Sequence, residues 1–202
     1  MTNNIVIDLE YLDMNETSII VSLGVVPLTF SKKYKVKENY ARNFNFNIKQ
    51  QYQSGRTVSF DNISWWLNQD EHVRKEFDNS IQENKSNLLI FKDLAYYLNN
   101  IPGFFQSEPI IWWGNGTKED TTKLYHLINS NSEYKQVFQI YSQNLIYWRN
   151  FRCYRTLKNI FDVDVSDLIL GTENASHDPM DDAIQQAKHL ARIANNYNFK
   201  LK

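Results

Sequence analysis

Apolar and polar residues alternate along the first part of the chain. In IVIDLE, residues 5–10, apolar side chains recur with a period of two, and Asp8 and Glu10 share the other face. This period is typical of a strand with one apolar face. Residues 18–30 are apolar and β-branched and predict a second strand, bulged or bent near Gly24. In residues 31–37 lysines alternate with Tyr and Val, so we predict a third, partly exposed strand and a β-meander overall.

Most of the remaining chain has helical spacing. Residues 38–58 lack clear periodicity, and we predict a long irregular excursion there. Helical spacing starts near Ser59 and predicts helices within residues 63–77, 88–101, 118–128, less clearly 147–161, and 181–197. The apolar and aromatic run EPIIWWGN, residues 108–115, is typical of a buried strand. This order of elements predicts an α/β fold with a mixed sheet flanked by helices.

Length and composition favour one domain over residues 1–202. The 202 residues are 42% hydrophobic, which is enough to bury a single core, and no repeat or evident linker divides them. The formal net charge of -1 provides no general attraction to a polyanion, which disfavours a protein that coats nucleic acid. The single cysteine, Cys153, excludes an internal disulfide and a multi-cysteine zinc site, and it indicates a reducing compartment.

Neither a signal peptide nor a membrane span is predicted. The N-terminal sequence MTNNIVIDLEYLD has no basic region before its apolar residues. No stretch approaches the roughly 18 apolar residues of a transmembrane helix. We therefore expect a soluble, intracellular protein that makes no membrane contact.

Asp8 and Glu10 are the first candidate metal ligands. On one face of a strand their backbone positions lie roughly 6.6 to 7 Å apart, so the two carboxylates can converge on shared cations. Hard cations such as Mg²⁺ and Mn²⁺ prefer oxygen ligands. The alternative is a strand end whose acids simply face water, and the pair taken alone favours that alternative.

A glycine-rich turn follows the predicted buried strand. In GNGTKED, Glu119 and Asp120 fall in the first turn of a predicted helix, where acidic residues interact favourably with the helix dipole. That interaction is a sufficient structural explanation for either residue. The turn also lies at the C-terminal end of a strand, where α/β proteins place ligands.

One histidine and three aspartates surround the start of the last predicted helix, in SHDPMDDA. Asp178 can cap this helix, and early aspartates such as Asp181 and Asp182 are ordinary features of a helix N-terminus. His177 has no such explanation, and its side chain suits proton transfer near neutral pH. The histidines predicted to be surface or boundary residues are His72, His126 and His189.

Together these three segments supply four carboxylates and a histidine. Two-metal phosphodiester hydrolysis needs such a set, because two cations roughly 3.5 to 4 Å apart stabilise the reacting oxygens while a base deprotonates water. From spacing alone, this reaction is one candidate among several.

The order of the three segments resembles the DEDDh 3′-to-5′ exonucleases of the RNase H-like (DnaQ-like) superfamily. These enzymes have Asp-x-Glu on a first strand, an Asp after a glycine-rich turn, and His-x-x-x-x-Asp before a last helix. The chain is most similar to the phage exonuclease A type and to RNase AS-like exoribonucleases, through SWWLNQDEHVR, WWGNGTKED and YWRNFRCYRTL. The similarity extends in order over nearly the whole chain.

The resemblance implies an RNase H-like fold and gives roles to five residues. The acids implied to hold two divalent cations, Mg²⁺ or Mn²⁺, are Asp8, Glu10, Asp120 and Asp182. His177 would be the general base, and the five-residue step from His177 selects Asp182 over Asp181. Glu119 stands where these exonucleases usually have an aromatic residue, so it remains an alternative to Asp120.

Four residues are candidates for substrate binding: Tyr11, Leu12, Asn115 and Trp66. Tyr11 and Leu12 follow the first strand and could wedge against the terminal base, since bases stack on aromatic side chains. They could equally be core residues. Trp65 and Trp66 occur at helical spacing with neighbouring apolar residues, which indicates that at least one of them is core.

The sequence therefore predicts a metal-dependent 3′-to-5′ exonuclease that releases nucleoside monophosphates from single-stranded nucleic acid. The phage-type resemblance slightly favours DNA over RNA, and the related exoribonucleases make a homodimer reasonable. We expect a cytoplasmic location, in a bacterium or in the host of a phage. Two alternatives stay open: a catalytically weak nuclease-fold binding protein, and a hydrolase of short oligonucleotides or nucleotide signals.

Overall fold

The computed structural model describes residues 3–105, 108–141, 147–168 and 177–201. The strands of these residues are β1 (Asn3–Tyr11), β2 (Ile20–Phe30), β3 (Tyr34–Val36), β4 (Arg42–Asn45), β5 (Ile110–Gly114) and β6 (Phe151–Cys153). Their α-helices are α1 (Ile48–Gln53), α2 (Phe60–Leu67), α3 (Glu71–Gln82), α4 (Asn87–Asn99), α5 (Thr121–Asn129), α6 (Ser132–Tyr141), α7 (Tyr154–Ile160) and α8 (Pro179–Asn196). Two short 3-10 turns are Glu38–Tyr40 and Trp148–Asn150.

The described strands form one mixed sheet with the order β3-β2-β1-β5-β6, and β4 pairs with β2 beside β3. β1 is antiparallel to β2 and parallel to β5, and β5 is parallel to β6. The predicted β-meander, the buried strand and the α/β class are confirmed, and the architecture is consistent with an RNase H-like fold. Parallel pairing brings the C-terminal ends of β1, β5 and β6 to one edge of the sheet.

Different helices cover the two faces of the sheet. Ile5, Ile7 and Leu9 of β1 pack with apolar side chains of α4, α5 and α6 on one face. Val6 packs on the other face with α8, whose small side chains permit a close approach. Asp8 and Glu10 follow Val6 on that second face, as the period of two predicted. The two carboxylates therefore lie under the beginning of α8 instead of at a strand end that faces water.

α8 is the longest of the described helices, and it begins with the features that the sequence predicted. Asp178 is the N-cap, and its Oδ1 accepts backbone N–H groups of Met180 and Asp181 at 2.9 and 3.1 Å. Pro179 occupies the first turn, where its missing N–H has no intrahelical partner to lose. Neither α8 nor any other described helix is long and apolar enough to cross a membrane.

The irregularity predicted in β2 lies close to Gly24. The pairing of β1 with β2 is regular at Gly24 itself, which lies opposite Asp8, and the register shifts between Glu10 and Tyr11, opposite Ser22 and Ile20 of β2. A Cβ atom at Gly24 would lie 2.0 Å from the carbonyl oxygen of Pro179. Glycine is therefore required there for close approach, because it lets the first turn of α8 rest directly on β2 beside Asp8.

Predictions for three other segments differ from the structure. Residues 38–58 contain a 3-10 turn, β4 and α1, because β4 pairs with β2 although its own sequence lacks periodicity. Residues 147–161 are not one helix, since β6 extends the parallel edge beside β5 before α7 begins. Residues 63–77 belong to two helices, α2 and α3, with Asp70 at the N-cap of the second. α6 is a helix that no sequence pattern predicted.

Candidate active site

The candidate site lies at the edge of the sheet where β1 and β5 end and α8 begins. Asp8 and Glu10 come from β1, and Asp120 follows β5. Asp182 lies in the first turn of α8, and His177 comes just before that helix. The structure brings these five sequence-predicted residues together, since the charges of the acids act on one another and His177 lies beside Glu10 and Asp182.

Asp120 is held by the backbone at the end of β5. Its side chain is 3% exposed, and its two oxygens accept the N–H groups of Leu9 and Gly116 at 3.3 and 3.1 Å. A Cβ atom at Gly114 would lie 2.7 Å from the Asp120 carboxylate, so glycine makes the space for it. Asp120 occupies the N-cap position of α5 without capping it. Its side chain is therefore turned towards β1. Asp120 was predicted inside the first turn of the helix, but it lies at the N-cap position just before that turn.

The two acids of β1 titrate far from their ordinary ranges. Burial, followed by the charges of Asp120 and Asp182, raises the pKa of Asp8 well above its ordinary value, although a hydrogen bond from Gln186 lowers it. Burial, followed by the charge of Asp8, likewise raises the pKa of Glu10. Both shifts show that like charges converge where solvent is partly excluded.

The other two acids respond in the same direction. Burial raises the pKa of Asp120 to about 6, although the N–H groups of Gly116 and Leu9 oppose the shift. Burial and the charges of the neighbouring aspartates of α8 raise the pKa of Asp182 to about 6. Protons are thus held more tightly across the whole cluster than on isolated carboxylates, and a cation would compete with those protons.

Glu119 belongs to a different environment from its neighbour Asp120. Its Oε2 accepts hydrogen bonds from Lys123 Nζ at 2.7 Å and from the Tyr11 hydroxyl at 3.2 Å. The Lys123 side chain is fully buried, and its ammonium lies 4.1 Å from the centre of the Tyr11 ring. Burial raises the pKa of Glu119, but Lys123 and Tyr11 outweigh burial and lower it overall. Glu119 is therefore a partner of Lys123, and Asp120 is the residue that joins the cluster.

His177 lies beside the carboxylates in an unusual backbone conformation. Its φ is 48°, in the left-handed region that few residues other than glycine adopt. One ligand atom each of His177, Glu10 and Asp182 lies within 4.8 Å of the other two. The ring of Trp65 packs edge-to-face against the imidazole, with centroids 5.0 Å apart. Trp65 thus fixes one side of the predicted base.

Gln186 links α8 to β1 at the centre of the site. It lies one turn after Asp182 and is 6% exposed. Its Nε2 donates to Asp8 Oδ1 at 2.7 Å, whereas its Oε1 is buried without a hydrogen-bond partner among the described residues. Gln186 therefore orients Asp8, and its free acceptor faces the same buried region.

The substrate-binding candidates occupy different positions. Leu12 and Trp66 are 2% and 1% exposed and pack with each other in a small core cluster, which favours a packing role. Tyr11 is held by Lys123 and Glu119, and its carbonyl accepts Trp66 Nε1–H at 3.4 Å. Asn115 lies in the turn after β5, and its Oδ1 is buried without a described partner. Trp65, which is 38% exposed, faces the site instead of Trp66.

The predictions for the other histidines are tested at two positions. His189 is 6% exposed, and its Nδ1 lies 2.6 Å from the Tyr154 hydroxyl, so it belongs to the core between α7 and α8. His126 is half-buried and contacts Arg56. The prediction that His189 lies at the surface or boundary is wrong. Its neighbours in the sequence are polar, but α7 places Tyr154 against this turn of α8 and buries the imidazole. The side chain of His72 lies outside the described residues.

The donor set fits a divalent cation. Carboxylate oxygens are the ligands that Mg²⁺ and Mn²⁺ prefer, and one imidazole is within reach. The lysine and arginine ion pairs of the described residues are made with other acids, Glu38, Asp93, Glu119 and Asp167. Among the described residues, no ion-paired side chain therefore offsets the repulsion of the four acids, and cations from solution would do so.

Sequence reasoning missed several residues that shape this site: Gly24, Gly114, Trp65, Lys123 and Gln186. Two of them carried a usable signal. Lys123 follows Glu119 by four residues and Gln186 follows Asp182 by four, and residues four apart share a helix face. Gly24 and Trp65 carried none, because their roles depend on segments far away in the chain, whereas Gly114 makes room for Asp120 of the turn that follows it.

The chain also matches a known family. The family model of the Rv2179c-like 3′-5′ exoribonuclease domain matches residues 3–194, from the start of β1 almost to the end of α8. Every residue of the candidate site falls within this match. No curated protein is similar enough to match the chain. The predicted enzyme class is confirmed: the chain belongs to the family with the Rv2179c-like 3′-5′ exoribonuclease domain and is a 3′-5′ exonuclease.

Proposed function

We propose that this protein removes nucleoside monophosphates from the 3′ end of single-stranded RNA by a metal-dependent reaction at the edge of the sheet. In this proposal two divalent cations, Mg²⁺ or Mn²⁺, are held by Asp8, Glu10, Asp120 and Asp182. The observation that carries the proposal is the convergence of these four acids and His177 from three distant segments, with no lysine or arginine ion-paired to the acids among the described residues.

The chain's own residues divide the remaining work. Divalent cations bound at this site would stabilise charge on the scissile phosphate and lower the pKa of the attacking water. His177 accepts the proton of that water, and Trp65 holds the imidazole from one side. The hydrogen bond from Gln186 orients Asp8, and the backbone N–H groups of Leu9 and Gly116 fix Asp120. Asp8 and Asp120 are therefore positioned before substrate binds.

RNA is the better-supported substrate. The description of the family names an exoribonuclease activity, which supports RNA as the substrate. The phage-type resemblance slightly favoured DNA, and that prediction has no support from the family description. Discrimination would depend on a contact with the 2′-hydroxyl of the terminal nucleotide, which can donate and accept a hydrogen bond.

The size of the substrate and the assembly of the protein stay predictions. The match over residues 3–194 supports a single exonuclease domain. A homodimer is compatible with the resemblance, and light scattering during gel filtration would measure it. A strong preference for dinucleotides over longer strands would assign the enzyme to short oligonucleotides.

The proposal is tested with 5′-labelled RNA and DNA of one sequence, in lengths of two and about twenty nucleotides. Wild type should shorten the RNA stepwise from its 3′ end with Mg²⁺ or Mn²⁺ and leave it intact with EDTA. Asp182→Asn should abolish the ladder, whereas Asp181→Asn, the same change at the exposed neighbouring position, should keep it. Equal ladders from the two variants would refute the assignment of Asp182.

A further inference from the structure

A polar cavity lies outside the carboxylate cluster, among the end of α1, the end of α5 and the start of α6. Its volume is about 170 Å³. One water molecule occupies about 30 Å³ of the liquid, so the cavity has room for a small oxyanion and a few waters. Its polar lining includes Thr17, Ser54, Arg56, His126, Ser130 and Asn131. No lining residue is an Asp or a Glu.

Arg56 brings a buried positive charge to the wall of this cavity. Its side chain is 7% exposed, and Nε and Nη2 donate to the carbonyl oxygens of Ser18 and Glu16. These contacts tie the segment before β2 to the end of α1. None of the ion pairs among the described residues involves Arg56. Carbonyl dipoles alone leave the charge without an anionic partner, although buried charges are ordinarily paired.

The imidazole of His126 cannot supply that anionic partner. Its Nδ1 lies 3.2 Å from Arg56 Nη1. A guanidinium only donates, so Nδ1 accepts in this contact and Nε2 is the nitrogen left to carry the imidazole proton. His126 lines the cavity beside Arg56.

Asn131 supplies a further donor. Its Oδ1 accepts the backbone N–H groups of Glu133 and Tyr134 at 2.8 and 3.4 Å, at the start of α6. With Oδ1 so occupied, the amide group that remains is the Nδ2 donor. The described lining of the cavity therefore includes a buried arginine, a histidine and an asparagine with an amide donor, and no Asp or Glu.

We propose that this cavity binds a phosphate group, with Arg56 as the charged partner and with Asn131 and His126 as further donors. Guanidinium and phosphate geometries match, and such charge-assisted hydrogen bonds are stronger than neutral ones. The phosphate is either free inorganic phosphate or a backbone phosphate of bound RNA. This site is independent of the metal-binding acids, so it can be tested without them.

The first experiment titrates inorganic phosphate into the whole protein in EDTA by calorimetry. Without metal, the acids of the candidate active site repel the anion. Asn131→Asp keeps the oxygen that caps α6 but replaces the amide donor by a negative charge, and it should weaken phosphate binding about tenfold or more. Asn84→Asp, the same change at an exposed position outside the cavity, should leave the affinity unchanged. Chloride at matched ionic strength should not bind saturably.

Hydrogen exchange locates the phosphate without any variant, and it covers the case in which Asn131→Asp does not fold. Phosphate should slow exchange at residues 54–56 and 126–131. Two results would overturn the proposal: no saturable binding to wild type, or protection confined to the acids of the active site. Equal affinity of Asn131→Asp and wild type would overturn it as well.

A separate titration with metal-free RNA identifies the source of the phosphate. If Asn131→Asp weakens RNA and inorganic phosphate by similar factors, the cavity holds an RNA backbone phosphate. If only inorganic phosphate is affected, the ligand is the free anion. Either result supports the phosphate site, and neither depends on whether the enzyme cleaves RNA.

Discussion

Glu119 and Asp120 are neighbours in the chain but belong to opposite electrostatic environments. Glu119 forms an ion pair with the buried ammonium of Lys123, and the net effect of its surroundings lowers its pKa. Asp120 lies against β1 among the other acids, and burial raises its pKa to about 6. Glu119 thus has a cationic side chain as its ion-pair partner. Asp120 has no ion-pair partner among the described residues, and in the proposed function divalent cations would supply the positive charge.

This difference separates a structural acid from an acid available for metal binding. A structural acid has its own cation, so another cation gains little by binding to it. An acid that is repelled by neighbouring carboxylates has a raised pKa, and a bound cation would stabilise its charged form. The distinction depends on which side chains surround each acid in space. The sequence does not show this, because Glu119 and Asp120 are adjacent in it.

The largest expected effect distinguishes the two neighbours directly. Asp120→Asn should lower kcat/KM about 10³-fold, because loss of a metal ligand removes several kcal/mol of charge stabilisation. Glu119→Gln should keep activity within a few-fold but lower the free energy of unfolding by about 1–3 kcal/mol, since Lys123 loses its counter-ion. Steady-state kinetics and urea unfolding measure both variants. The comparison fails if Glu119→Gln is the inactive one.

His177→Gln should lower kcat by about 10²- to 10⁴-fold, the usual contribution of a general base. Metal affinity should change by no more than a few-fold if His177 acts on water. A large loss of metal affinity would instead make His177 a ligand, which its distance from Glu10 and Asp182 permits.

Gln186→Leu should weaken metal binding by about 10- to 100-fold, because residues that orient ligands typically contribute that much. The variant removes the N–H that donates to Asp8 and keeps the side chain's bulk. Gln185→Leu, the same change at the next position of α8, serves as the control. Calorimetric titration with Mn²⁺ measures both, and equal affinities would show that Gln186 has no orienting role.

The stability of the metal-free protein should fall as the pH rises. The folded pKa of Asp182 is about 6, above its ordinary value of 3.8, so the folded state binds the proton more tightly than the unfolded state. Its stabilising contribution is therefore complete below about pH 4 and lost as the pH passes 6. At pH 7, Asp182→Asn should stabilise the metal-free protein by about 1–2 kcal/mol, after allowance for partial exposure.

Thermal unfolding in EDTA between pH 4 and 8 measures this effect. Mg²⁺ should reduce the pH dependence of wild type, because the cation replaces the protons that the acids release. Asp181→Asn, at the exposed position, should change stability less than Asp182→Asn. A wild-type protein whose metal-free stability rises steadily from pH 4 to 7 would contradict the clustering of these acids.

The smallest effect separates the two tryptophans. Trp65→Leu should reduce kcat/KM by about 2- to 10-fold, the value of an edge-to-face aromatic contact of about 0.5–1.5 kcal/mol. Stability should change little, because Trp65 is partly exposed. Trp66→Leu should instead lower stability by about 2–4 kcal/mol, since Trp66 is buried and stacks on Phe77. Chemical unfolding and kinetics of the pair measure both losses.

Much of the fold was predictable from local patterns. The period of two in β1 placed Asp8 and Glu10 on one face, and the cap and proline placed the start of α8 correctly. β6 was not predictable, because a three-residue strand depends on its pairing with β5 and has no periodicity of its own. β4 was missed for the same reason, since it is stabilised by pairing with β2.

The candidate site was predictable as a set of residues, and less so as an arrangement. The spacing of His177 and Asp182 and the Asp-x-Glu pair are local, so one sequence contains them in full. The choice between Trp65 and Trp66 depended on which side of α2 meets the core, and that was not local. The contact of Gln186 with Asp8 joins residues 178 positions apart.

The sequence by itself determined the strand face and the helix start, because each depends on neighbours within about one helical turn. It offered the candidate acids and His177 as a set in which Glu119 was still an alternative to Asp120. Only the tertiary structure decided which neighbours share an environment. Asp120 became a member of the cluster when its carboxylate reached the N–H of Leu9, 111 residues away, and Glu119 did not because Lys123 held it. Electrostatic interactions and burial depend on distances in space, so the fold decides which acids have a basic side chain beside them.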